Sequence, residues 1–553
     1  MRSLTQALQD HELIVLRVIG EWWELDLTGA DKAASVAALV ERLGQLDMVQ
    51  ELHYLPPEEA AAMETLVAAN GRIPVAAYER EHGAVRLMGP GRLEREEPWF
   101  DPQSPAEALW YRGFLYRGFD ETAEGVIEFY YLANEFMGQF PQAEKAAVPQ
   151  TAPSPLTPVD PPAEWDTAVT NAVDDLTTLL ALAQSTALRP EALDKLRQLL
   201  LNPDTDRRSL LLTLAQEMGM LKKMDSGIRP TRAAVNWLQQ SREQQLRALA
   251  DAWSRSNWND LCHIPGLQCE GEQWQNDPIL ARTALLDALP RTPDWYTITD
   301  LTVFIKETDP DFQRPDGNYD TWYIRDEAGG EYVRGFENWD LVEGRLIPYL
   351  LQGPMFWLGL TETAVLDNQP FYRLTDRALE WLANEPAPTQ ETRVPLRVEP
   401  DAVILAPHNA DRYARFQAAR ISEAEPVEPG RPYRYRLTPH SLAQAQKEGI
   451  IPQRIIQFLT ESGERPLPAS VKRGIERWGE KGVEAKLETA VILRVRDEEI
   501  LKTLRANPKT RDYIDQSLGP LAAAVRLENW QKLRAAAAQL GLLLETEPRM
   551  NTD

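Results

Sequence analysis

The sequence predicts a multidomain α+β protein in which helix-rich, winged-helix-like modules precede a C-terminal α+β domain. Three observations carry this expectation. The chain is 553 residues long, it has two proline-rich breaks, and it writes one phrase, Arg-x-Thr followed by a short apolar helix, in three places. A single hydrophobic core stops growing near ~250 residues, so a chain of this length divides. Residues 141–165 hold seven prolines and no apolar periodicity, which reads as a stiff exposed linker. The stretch 383–400 is a shorter break joining two packed units. Both reject helix, because each proline removes a donor and restricts the residue before it. The domains expected are 1–140, 166–275, 276–383 and 396–547.

In the first domain, residues 62–81 read as two short helices broken at "NGRIP". "SPAEALWYRGF" then opens a helix, with Ser104 as cap, Pro105 at the first helical position and Glu107 placed for a capping box. Two β-rich runs around Asp120–Gly125 follow as a hairpin, and helices followed by a hairpin are the order of a winged helix. The second domain repeats this plan. "RRSLLLTLAQEMG" is a helix closed by Gly219, a tight hairpin turns at Asp225–Gly227, and Thr231 caps a helix. In the third, a helix ends at Gly359, a longer hairpin follows, and Thr375 caps the next helix. The fourth alternates elements: strands in "DAVILAP" and "RPYRYRL", helices in "PQRIIQFLTES" and "PASVKRGIERWGEK", a strand pair in "VEAKLETAVILRVRD", then helices in "EEILKTLRAN" and "LENWQKLRAAAAQLG".

The repeated phrase is "IRPTRAAVNWL" (228–238), "YRLTDRALEWL" (372–382) and "YRLTPHSLAQAQ" (435–446). Each marks a wing strand handing over to a helix whose first N–H groups a Thr oxygen can satisfy. At the sixth and ninth residues after each Arg stand Val235/Leu238, Leu379/Leu382 and Leu442/Ala445, the expected packing pairs. The first two copies also share a Trp, Trp237 and Trp381.

The chain carries 59 Lys+Arg against 84 Asp+Glu, a net charge of −25, which argues against a protein that coats nucleic acid. The acid is unevenly spread: residues 431–545 hold 20 Lys+Arg against 14 Asp+Glu. No run approaches the ~20 apolar residues of a membrane span. The N-terminus lacks the apolar core of a signal peptide. With two cysteines, a disulfide framework is not expected, and a reducing cytoplasm is.

Catalytic signatures are sparse. No Gly-Lys dipeptide occurs, so there is no loop of the kind that cradles nucleotide phosphates. None of the six histidines forms H-E-x-x-H, and no G-x-S-x-G elbow exists. "CHIPGLQC" brings Cys262, His263 and Cys269 together, but a closed zinc site wants four ligands, so free, partly buried thiols are expected. The residues therefore suggest neither an enzyme, nor a cofactor, nor a metal.

Binding remains. A winged helix can place a helix in the major groove with its wing on phosphate. Arg207 and Arg208 at a helix start, with Lys222 and Lys223 on the wing, suit that role. In the last domain Arg434, Arg436, Lys472, Arg473, Arg477, Lys481, Arg494 and Arg496 recur beside Trp478, a mixture that fits strand or junction binding and equally fits solvated faces.

The last domain, from "DAVILAPHNADRYARF" through "YRLTPHSLAQA" and "IIPQRIIQFLTESGERPLPASVKRGIERW" to "AVILRVRD", resembles the N-terminal, damage-recognition-like domain of XPB-type DNA repair and transcription helicases. The preceding "IRPTRAAVNWL", "GPMFWLGLTETA" and "FYRLTDRALEWL" resemble bacterial stand-alone helicase-associated proteins. The resemblance implies a non-enzymatic accessory protein, binding distorted or single-stranded DNA, a separate helicase, or both. A pure protein-interaction scaffold without direct DNA contact is the competing expectation.

Overall fold

The computed structural model describes residues 2–122, 125–140, 156–185, 196–224, 227–271, 276–485 and 489–546. The chain is α+β throughout and divides into two compact units: Met1–Leu437 with Leu459–Pro466, and Thr438–Phe458 with Leu467–Asp553. Of the proline-rich stretch, 141–155 lies outside the described residues. From Leu156, which is buried, the chain runs extended against a neighbouring sheet, Val159 bridging Trp295 and Asp166 bridging Thr363.

Two regions of the first unit share one topology. The helix Pro57–Ala68 ends at Asn70 and Gly71, both left-handed (φ 55° and 79°), and the chain turns into the strand Arg72–Pro74. The helices Val75–His82, Pro90–Glu96 and Pro105–Tyr111 follow, then the hairpin Tyr116–Thr122 and Gly125–Tyr131. The short strand pairs with the last one, so the break at "NGRIP" is the third strand of a sheet rather than a loop. The same order recurs as helix Pro278–Ala288, strand Tyr296–Thr297, helices Ile298–Thr308 and Trp339–Leu350, and hairpin Thr361–Leu366 and Gln369–Leu374, again with the short strand against the last. Ser104 caps its helix as expected, but Glu107 does not close the box. Its buried carboxylate takes the Gln103 N–H at 2.8 Å and the Arg86 guanidinium at 2.7 Å instead.

The first two Arg-x-Thr copies share a glycine stop and a threonine tied back to it. Gly219 and Gly359 are left-handed, with φ 67° and 72°, and end their helices. Thr231 and Thr375 each donate Oγ1–H to that glycine's carbonyl, at 2.6 and 2.9 Å, and accept the N–H of Ala233 and Ala378. Of the expected pairs, Leu238 is fully buried, while Val235, Leu379 and Leu382 lie at the edge; Ala234 with Trp237, and Ala378 with Trp381, carry the rest of the packing face. The two indoles donate to the Gln245 carbonyl and to Asp251. In the third copy Thr438 forms a capping box with Ser441, and Leu442 and Ala445 are buried as expected.

Interior arginines bind the first unit together. Asp174 and Asp175 on the helix Asn171–Ser185 receive Arg242 (2.8 Å), Arg415 (3.0 Å) and Arg207 (2.6 Å) from three other helices. Arg415 also meets the Tyr435 hydroxyl and lies 3.6 Å from the Tyr433 ring centre. It thereby ties the sheet Arg397–Val398, Val403–Ala406, Tyr433–Arg436 and Glu423–Ala424 to the preceding helices. Burial pushes the Asp175 carboxyl up against the pull of Arg207, the signature of an ion pair whose desolvation cost is large.

In the second unit the strands Ala490–Arg494, Ala522–Arg526 and Ser517–Gly519 form an antiparallel sheet with Ala522–Arg526 at its centre. The helices Glu498–Ala506 and Trp530–Gln539 cover one face, packing Leu501, Leu504, Leu533 and Ala537 on Leu493, Ala523 and Val525. This corrects the expected strand pair in 483–497. That stretch supplies one strand, and its partner is the alanine-rich run 522–526; residues 486–488 lie outside the described residues.

Candidate nucleic-acid interface

The basic residues singled out from sequence fall into three physical classes. Arg207 is interior. Its guanidinium is spent on Asp175, the Asn202 carbonyl and Asn171, and it is 1% exposed, so it staples helices and cannot reach a phosphate. Arg208 beside it is half-buried. Lys222 and Lys223 stand exposed on the strand Leu221–Met224, with no ion pair among the described residues, next to an exposed Met224.

A second class is exposed but paired. Arg434 and Arg436 alternate with buried Tyr433 and Tyr435, so both guanidinium groups leave the sheet on one side and share Glu425 at 2.8 and 2.7 Å. The hydrogen bonds from Arg434 and then Arg436 hold that carboxyl below the usual range. On the helix Ala469–Lys481, Arg477 pairs with Glu484, Lys481 lies 3.8 Å from the same carboxylate, and Lys472 is 4.0 Å from Glu476. Among the described residues Arg473 bonds only the Ala469 carbonyl. Trp478 is half-buried, its indole N–H buried without a partner among the described residues.

The third class is Arg494 and Arg496. Along 490–496 the side chains alternate outward and inward, with Leu493 and Val495 toward the core and Ala490, Ile492, Arg494 and Arg496 toward solvent. Neither arginine has an ion-pair partner among the described residues. Sequence reasoning missed the residues that complete this face. Arg526, cross-strand from Ala490, points the same way, and Ala522 and Ala524 lie opposite Arg494 and Ile492. Arg526 is 3.4 Å from Asp515. The available signal was the alternation of "AAAVR" itself, with Ala523 and Val525 buried and Ala522, Ala524 and Arg526 outward. The second unit as a whole holds 17 Lys+Arg against 14 Asp+Glu, in a chain that holds 59 against 84.

The Cys262 and Cys269 thiols, expected free, are joined in a disulfide. His263 stacks on Trp258 at 4.1 Å and bonds Asp206 through Nδ1 at 2.9 Å. Among the described residues no group of three or more His, Cys, Asp or Glu is placed to hold a metal, and no helix is long and apolar enough to cross a membrane.

Comparison with curated proteins finds no match. Residues 396–518 match a family model described as a helicase conserved C-terminal domain. The matched segment includes the Glu425-centred arginine pair and the strand bearing Arg494. It overturns the expectation that the chain is not an enzyme, because the matched domain belongs to the helicase family and associates the chain with that class of nucleic-acid enzymes. Residues 396–518 thus carry a helicase-family domain, which is consistent with a helicase-related function.

Proposed function

We propose that this protein acts in a helicase-related DNA transaction and touches the nucleic acid through the solvent-facing cations of its second unit. One observation carries the reading: the helicase-domain match covers the strand Ala490–Arg494 and the residues just after it, where Arg494 and Arg496 stand exposed with no ion-pair partner among the described residues. The resemblance of the same segment to the damage-recognition-like domain of XPB-type helicases supports distorted or single-stranded DNA as the target. The winged-helix-like order in the first unit supports a role in orienting the DNA or a helicase partner. Equilibrium binding of labelled DNA to the full chain across a salt series tests this. Phosphate contacts make log K fall linearly with log salt, and three contacts to a single strand give a slope of about −2. Absence of binding even at low salt contradicts the proposal.

A second reading is favoured by charge. The first unit is strongly acidic, and its best helix-start arginine is buried on Asp175. Its winged-helix-like regions then serve as docking surfaces for a helicase. Co-purification of a helicase that survives nuclease treatment, together with absent DNA binding, is its expected outcome.

A further inference from the structure

We infer that the helix-free face of the second unit's sheet is a platform for single-stranded DNA, with Arg526 as a third cation beside Arg494 and Arg496. The inference rests on the proposed DNA contact and specifies its place and the form of the ligand. The two helices that pack on this sheet lie on the opposite face, where Leu493, Ala523 and Val525 are buried. The outward face keeps Ile492 at 51% exposure, with Leu518 at 52% on the third strand. Between these apolar groups the floor is alanine: Ala524 opposite Ile492, and Ala522 opposite Arg494. Arg494 and Arg496, two residues apart, sit about 7 Å from each other along the chain, and Arg526 stands at the far end of the central strand.

Charge and shape together choose the occupant. Three arginines face solvent here, with Asp515 beside Arg526 as the carboxylate paired to one of them. In a chain of net charge −25 such a face attracts a polyanion rather than another copy of the chain. A duplex is read by an element that enters a groove, and three strands about 4.8 Å apart form a low, broad surface instead. A single strand has splayed bases that can lie on such a surface. Their flat faces cover Ile492 and Leu518, they stack on guanidinium planes, and their phosphates meet the arginines at the rim. The alanine floor leaves room for this, since any longer side chain at 522 or 524 would rise into the path.

The test is fluorescence anisotropy of the full chain with a labelled oligo-dT 20-mer and with a mixed-sequence duplex of the same length. The single strand is expected to bind at least about tenfold more tightly. Ala524→Glu, which puts a carboxylate in the middle of the face, is expected to weaken single-strand binding by about tenfold or more. Arg494→Gln and Arg526→Gln should each lower the salt slope by about 0.7, and circular dichroism melts report whether each variant stays folded. Equal or tighter duplex binding overturns the inference. So does single-strand binding that Ala524→Glu and the two arginine variants leave unchanged; DNA contact then lies elsewhere, and the proposed function stands without this site. Binding of neither probe at low salt removes the proposed function itself.

Discussion

Arginine does opposite work in the two units. In the first, Arg207, Arg282, Arg314, Arg412 and Arg415 are almost wholly buried, each locked to a carboxylate: Asp175, Asp260, Glu343, Glu391 and Asp174. In the second, Arg494 and Arg496 stand in solvent with no acid attached among the described residues. A guanidinium removed from water is tolerable only when paired and hydrogen-bonded, so a buried arginine reports a structural joint. An exposed, unpaired one on an ordered strand keeps its full charge for a ligand. Counting basic residues in a sequence cannot separate the two, and the residue before or after often decides. Arg207 and Arg208 are neighbours, yet only the first is sealed inside.

The widest separation between the units should be in stability. Arg207→Ala strands Asp175 in the interior and should cost about 3–5 kcal/mol, read as a lower urea midpoint, whereas Arg494→Gln should stay within about 0.5 kcal/mol. Equal effects would break the comparison. The shared tryptophans sharpen it from inside the first unit. Trp237→Ala and Trp381→Ala should each cost about 3–5 kcal/mol, because each fills the same place behind a capped helix. A large loss at one and none at the other would show that the two copies are not equivalent.

His11 adds a pH dependence to the first unit. It is buried between Trp110 and Tyr116, and burial, then the Lys32 charge, lowers it from 6.5 to about 4. The folded state therefore resists a proton that the unfolded chain accepts. Stability should be full above pH 6.5 and decline as pH falls toward 4, by up to about 3 kcal/mol. His11→Phe should flatten that part of the urea-midpoint profile, and an unchanged profile would show that other groups govern it. Among the first-unit substitutions, the smallest effect belongs to the caps. Thr231→Ala and Thr375→Ala should each cost about 1 kcal/mol, since each loses an N-cap bond and the tie to Gly219 or Gly359.

Much of this architecture was legible because local chemistry and global fold agree. The left-handed glycines, the threonine caps and the hairpins after Gly219 and Gly359 follow from backbone rules that act over a few residues. The central strand Ala522–Arg526 was not legible. Alanine favours helix, and only pairing with Ala490–Arg494 and Ser517–Gly519 holds the run extended. Glu107 departed from its capping box because Arg86, distant in sequence, reached it first. The candidate site was half visible. The cations could be named, but which were buried, which were paired and which shared a face depended on contacts between segments far apart in the chain. The disulfide between Cys262 and Cys269 was missed because composition alone was taken to set the redox state of two cysteines only seven residues apart.

The most direct measurement compares DNA binding by the full chain with that of the Arg494→Glu, Arg496→Glu double variant at two salt concentrations, alongside their melting curves. The account predicts at least about a tenfold loss of affinity, a shallower salt dependence and an unchanged melting midpoint. Undiminished binding by the folded double variant would contradict it.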